Sequence, residues 1–86
     1  MRNVPTDLVA RILEFVRREV PGAPADLTID TPLATSGLLD SVALVRLAAL
    51  VERETGLIIP DRDVTADHFD SVRRIQEYVT ARKREA

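Results

Sequence analysis

The pair of residues with the most chemical potential is a carboxylate beside a hydroxyl, Asp40 and Ser41, in the segment Gly37-Leu38-Leu39-Asp40-Ser41-Val42. They stand where a long loop meets a run from Ser41 to Thr55 that has no Gly or Pro and is rich in Leu and Ala, both strong helix formers. A helix start leaves backbone N–H groups unpaired and presents the positive end of the helix dipole. A phosphate or phosphodiester carried by Ser41 would therefore sit there at low electrostatic cost. Asp and Ser are also preferred helix caps, and the pair by itself marks a helix start equally well.

Other chemistries fit the sequence poorly. His68 is the only histidine, and a Ser-His-Asp hydrolase would need it near Ser41 with a separate carboxylate to orient it. Asp40, adjacent to Ser41, is badly placed for that task, and Ser41 lacks the flanking glycines of a nucleophile elbow. His68 is expected at the surface of a short helix. Asp61, Asp63 and Asp67 are closely spaced, but an EF-hand loop starting at Asp61 would need Gly and Glu where Ala66 and Val72 stand. With no Cys, thiolate catalysis, disulfides and the common zinc sites are excluded. No P-loop or dinucleotide fingerprint is present. The Arg82-Lys83-Arg84 run reads as a solvated basic end.

The elements that must position Asp40 and Ser41 follow from hydrophobic spacing. Leu8, Ile12, Phe15 and Val16 recur at i, i+4, i+7 and i+8, which predicts a helix from Thr6 or Asp7, either able to cap it, to about Glu19. Glu14 and Arg18 are spaced to pair along it, and Pro21-Gly22 stops it. Residues 21–40 sustain no period. Leu27, Ile29, Leu33, Leu38 and Leu39 are expected to pin this long crossover to the core. The Ser41–Thr55 helix is apolar around most of its girth, predicting a central position, with Gly56 closing it. Ala48 and Ala49 read as close packing rather than space for a cargo. Leu57-Ile58-Ile59-Pro60 is extended and Asp61-Arg62-Asp63 is a polar turn. Thr65 caps one short turn, Ala66 to Phe69. Ser71 caps a last helix to about Arg82 with Val72, Ile75 and Val79 inward and Arg73 spaced to pair with Glu77. The fold expected is all-α, a small antiparallel four-helix bundle with a long loop between helices 1 and 2 and a short third helix.

The chain has 86 residues, 45% hydrophobic and 3% aromatic, so a single domain over residues 1–86 with an aliphatic core is expected. Residues 21–70 carry three bases against nine acids. That acidic middle disfavours phosphate backbones and speaks against a DNA-binding three-helix module; it suits a protein partner. No apolar run approaches a membrane span and the first residues do not read as a secretory signal, so a cytoplasmic monomer that binds neither membrane nor nucleic acid is expected.

The segment from Leu33 to Gly56 resembles the carrier-protein family, the acyl and peptidyl carriers that hold a 4′-phosphopantetheine arm. Asp40-Ser41-Val42 carries the resemblance, supported by Pro32-Leu33 and Gly37-Leu38-Leu39 upstream and by Leu47, Glu52 and Gly56 downstream. His68-Phe69-Asp70-Ser71-Val72, with Ile75 and Val79, resembles the family's third and fourth helices. The resemblance implies that Ser41 is esterified by phosphopantetheine from coenzyme A and that Asp40 assists the phosphopantetheinyl transferase at its metal-bearing site. It further implies that Leu39, Val42, Val45, Arg46 and Ala49 meet the arm or partner enzymes. On this reading the chain is a standalone, non-catalytic carrier of acyl or aminoacyl thioesters, served by a loading enzyme and downstream synthase or tailoring enzymes. Fatty-acid-synthase carriers usually bear acids on the first turns of this helix. Here Ala43 and Arg46 occupy them and acids return only at Glu52 and Glu54, which points to specialised, polyketide or nonribosomal-peptide-type biosynthesis. The competing reading is a helical adaptor module in which Asp40-Ser41 is only a cap.

Overall fold

The computed structural model describes residues 7–85. Among these residues four α-helices follow in order, α1 (Leu8–Glu19), α2 (Ser41–Thr55), α3 (Ala66–Phe69) and α4 (Val72–Glu85), with one 3-10 turn at Asp61–Asp63. No strand occurs among the described residues. α1 packs on both α2 and α4, and α3 packs on α4.

The core is assembled from the positions that the spacing predicts. Leu8, Ile12, Phe15 and Val16 of α1 are buried, with Leu47 and Val51 of α2, Phe69 of α3, and Val72, Ile75 and Val79 of α4. Val9 and Leu13 lie half-buried against them. α1 starts differently from expectation. Asp7 occupies the cap position but makes no cap bond; its carboxylate accepts from Arg11 at 3.3 Å instead. Thr6, the other candidate, lies outside the described residues. Glu14 and Arg18 form no ion pair among the described residues; Glu19 instead pairs with Arg46 of α2 at 3.1 Å. At the end of α1, Gly22 takes φ +75°, a left-handed turn that suits glycine.

The long crossover is tied down rather than loose. Leu27, Leu33 and Leu39 are buried, and Ile29 and Leu38 pack on the core. The backbone N–H of Arg73 donates to the Ile29 carbonyl at 2.9 Å. The guanidinium of Arg73 reaches Asp30 with both of its forks, at 2.6 and 3.1 Å, so the expected pairing with Glu77 gives way to one across the molecule. The Arg73 guanidinium holds the Asp30 carboxyl below its ordinary pKa.

α2 is less enclosed than its composition suggests. Leu47, Ala48, Leu50 and Val51 face the core, but Val42 and Val45 are each 61% exposed and Ala49 is exposed. An apolar girth records what a helix can bury, not what the rest of the chain supplies to cover it. Gly56 ends the helix at φ +77°, its N–H donating to the Glu52 carbonyl at 2.8 Å.

α4 begins as predicted, with the Ser71 hydroxyl accepting from the Arg74 N–H at 3.1 Å. Thr65 stands at the start of α3 but its side chain makes no cap bond. α4 runs three residues past the predicted end because its basic residues are engaged. Lys83 donates to the Thr55 carbonyl at 2.6 Å and Arg82 to the Ile58 carbonyl at 2.9 Å. These cations meet main-chain oxygens at and just beyond the negative end of α2, where positive charge is favoured.

Candidate functional site

Asp40 and Ser41 divide the labour at the start of α2. Asp40 is the cap. Its backbone is extended (φ −83°, ψ −179°), its Oδ1 accepts from the Ala43 N–H at 2.8 Å, and its carbonyl accepts from the Leu44 N–H at 2.9 Å. Ser41 is the first helical residue. It is exposed, and its hydroxyl has no hydrogen-bond partner among the described residues. Because Asp40 satisfies Ala43, the N–H groups of Ser41 and Val42 are those left facing outward at the positive end of the dipole. The hydroxyl is thus free for chemistry and is not needed as a cap.

Beside Ser41 runs an open groove of about 260 Å³ lined by Ser41, Leu44, Val45, Asp61 and Val64. Its far wall is the 3-10 turn, and Tyr78 of α4 fixes that turn. The Tyr78 hydroxyl donates to Asp63 Oδ2 at 2.6 Å and accepts from Arg82 Nη1 at 2.6 Å. Burial and the Asp63 carboxylate push the Tyr78 phenol above its ordinary pKa, against the opposing Arg82 charge. The His68 ring packs, tilted, at 4.7 Å on Tyr78, half-buried on the short helix, and no hydrogen bond joins it to Ser41 among the described residues.

The loop approaching Ser41 is held from the other side by Asp70, at the junction of α3 and α4. Its Oδ1 accepts from the N–H groups of Ala34 and Thr35, each at 2.8 Å, and its Oδ2 from the Thr35 hydroxyl at 2.8 Å. Its carbonyl takes the Leu33 N–H at 2.6 Å, and the Leu33 carbonyl in turn takes the Leu39 N–H at 2.8 Å. A continuous tie therefore runs from the start of α4 through Leu33 to the residue before the cap. Desolvation alone would raise the Asp70 pKa, but the bonds from Thr35, Ala34 and Leu33 outweigh it and hold the carboxyl below its ordinary value.

Val42, Val45, Arg46 and Ala49 share the exposed face of α2 that leads away from Ser41. Leu39, expected beside them, is only 3% exposed and belongs to the core. It supports the site from below. Neither the hold of Asp70 on the loop nor the Tyr78–Asp63 contact is legible in the sequence. Each joins groups too far apart along the chain for any local pattern to reveal.

Residues 7–79 match a family model described as phosphopantetheine attachment site. No curated protein matches the chain. Among solved structures, the chain is 30% identical, at a TM-score of 0.67, to a chain in one described as a crystal structure of an FAD-dependent dehydrogenase. That alignment covers 79% of this chain and 97% of the other, so the other chain is itself a domain of about this size. Domains of the matching family carry covalently attached 4′-phosphopantetheine. The start of α2 fits such a group: it offers an exposed, uncommitted hydroxyl, two outward N–H groups for a phosphodiester and an adjoining half-apolar groove. No helix among the described residues is long and apolar enough to cross a membrane.

Proposed function

This chain belongs to the phosphopantetheine attachment family, and from that premise we propose that it carries acyl or aminoacyl groups on an arm attached to Ser41. The observation that carries this reading is the free Ser41 hydroxyl. Asp40 alone makes the cap, so the serine has no structural task at the place where the family bears its group. The adaptor reading, in which the pair serves only to start a helix, leaves that hydroxyl unexplained.

The residues divide the work as follows. Arming forms a bond from Ser41 Oγ to phosphorus of coenzyme A, expels adenosine 3′,5′-bisphosphate and releases the hydroxyl proton. Asp40 fixes the first turn through Oδ1, and its carboxylate would assist the transferase at that enzyme's metal-bearing site. The N–H groups of Ser41 and Val42 steady the phosphodiester. When bound, the group supplies a terminal thiol that holds cargo as a thioester on a flexible tether, raising its local concentration at each docked enzyme. Val42, Val45, Arg46 and Ala49 meet those enzymes. Loading and tailoring chemistry belongs to the partners, and the chain itself only carries. The similar chain in a structure described as an FAD-dependent dehydrogenase supports a flavin-dependent oxidoreductase among them. The scarcity of acids on α2 favours specialised, polyketide or nonribosomal-peptide-type biosynthesis over fatty-acid synthesis. We place the protein in the cytoplasm as a monomer, because a carrier must release each partner to reach the next.

The test uses protein purified from the cells that make it. Proteolysis followed by fragmentation should eject phosphopantetheine from the peptide containing Ser41 and from no other. A bare Ser41 peptide, from an extract in which other carriers are armed, would overturn the proposal.

A further inference from the structure

α2 keeps one long face out of the core. Val42, Val45, Arg46, Ala49 and Arg53 recur at i, i+3, i+4, i+7 and i+11, and so form one stripe about 17 Å long. All five are exposed. No carboxylate shares the stripe. Glu52, at its edge, is turned into the following loop, where it accepts from the Ile59 N–H at 2.7 Å. Glu54 lies roughly 100° round the helix from Arg53.

The charge on the stripe is positive and available. The only ionic partner of Arg46 among the described residues is Glu19, and the Arg46 side chain stays 63% exposed in that pair. Arg17 and Arg18, exposed on the last turn of α1, directly precede Glu19. Arg53 forms no ion pair among the described residues. Apart from Glu19 beside Arg46 and Glu52 at the edge, negative charge lies at the end of the stripe at Ser41, where Asp40 caps the helix and Asp61 lines the groove. The order along the helix is therefore anionic, then apolar, then cationic.

We infer that the enzymes loading or processing this carrier dock on that stripe with a surface that is apolar opposite Val42 and Val45 and bears carboxylates opposite Arg46 and Arg53. The inference rests on the carrier reading above. The valines supply the dehydrated centre of a contact, and the arginines supply steering and register. A basic partner surface would set like charge against Arg46 and Arg53. An anionic membrane or nucleic acid would meet the arginines but be repelled at the other end by Asp40, Asp61 and the phosphodiester of the armed protein.

The experiment loads the armed protein with a soluble extract of its own cells, supplied with ATP, magnesium, coenzyme A and amino acids. Cargo is read as hydroxylamine-releasable mass on the intact protein. Parent and Arg46→Glu/Arg53→Glu are both armed to completion beforehand, as checked by intact mass, so that loading is read separately from arming. Loading of the double variant should be slower by about tenfold or more at low salt, with the gap shrinking to about threefold or less in half-molar salt. Val45→Asp should slow loading at every salt concentration. Unchanged or faster loading of the double variant would overturn the inference. So would self-association, or binding to phosphatidylserine vesicles or duplex DNA, that these changes abolish, because the stripe would then have another occupant. Failure of the parent protein to arm is a different result and strikes the carrier reading itself.

Discussion

Removing the Asp70 carboxylate tests whether the site is held from α4. Asp70→Ala deletes three hydrogen bonds of 2.8 Å to Ala34 and Thr35. Bonds to a charged acceptor contribute about 1.5–3 kcal/mol each when shielded. Thr35 is exposed, so water replaces much of what is lost. The net cost expected is about 2–3 kcal/mol, a large part of the stability of a domain this size. It corresponds to a fall in Tm of roughly 10–20 °C, read by far-UV circular dichroism at pH 7. Asp70→Asn keeps an oxygen for the two N–H groups but loses the charge and puts a donor NH2 where Oδ2 accepts from the Thr35 hydroxyl, so its fall should be about half as large. The pH dependence has a defined sign. The folded Asp70 pKa lies below the unfolded value, so its stabilisation is complete above the unfolded carboxylate pKa of about 3.9 and is lost as pH falls through the folded one. The gap between parent and Asn variant should therefore be full at neutral pH and close below pH 4. A Tm for the Ala variant within 3 °C of the parent would refute the tie.

Three further outcomes follow from the same geometry. Asp40→Ala should cost about 1 kcal/mol in urea unfolding, while Asp40→Asn should cost little, because Asn caps nearly as well; if both arm slowly, the charge matters to the transferase beyond the cap. Tyr78→Phe removes the hydroxyl shared by Asp63 and Arg82 and should lower stability by about 1–2 kcal/mol; amide exchange at Val64 and Thr65 should quicken. Gly56→Ala meets open space but a left-handed φ of +77°, so its cost of about 1 kcal/mol should come from the backbone alone, and an Asn at the same position should recover part of it in thermal melts.

Much of the fold was legible because helices announce their buried faces by period. Leu8, Ile12, Phe15 and Val16 lie in the core as their spacing requires, and α2 begins at Ser41 and ends before Gly56. The crossover was legible through its leucines, since a solvated loop has no use for Leu27, Leu33 and Leu39. Side-chain partners were not. Arg73 had Glu77 one helical turn away and took Asp30, 43 residues distant, because the loop brings a bidentate carboxylate to it. Asp70 looked like any acid before a cap, since its partners lie 35 and 36 residues upstream. The basic end of α4, which reads as solvated, closes carbonyls at the end of α2 because that helix ends beside it. At the site itself, Asp40 and Ser41 read as equally good caps. Only the structure shows Asp40 making it and Ser41 spared.

The central claim is that Ser41 accepts the arm, and intact-protein mass tests it most directly. The chain is incubated with coenzyme A, magnesium and a broad-specificity phosphopantetheinyl transferase beside Ser41→Ala. One added phosphopantetheine on the parent and none on the variant, both folded and helical, is the predicted result. No gain by a folded parent, or an equal gain by the variant, would contradict it.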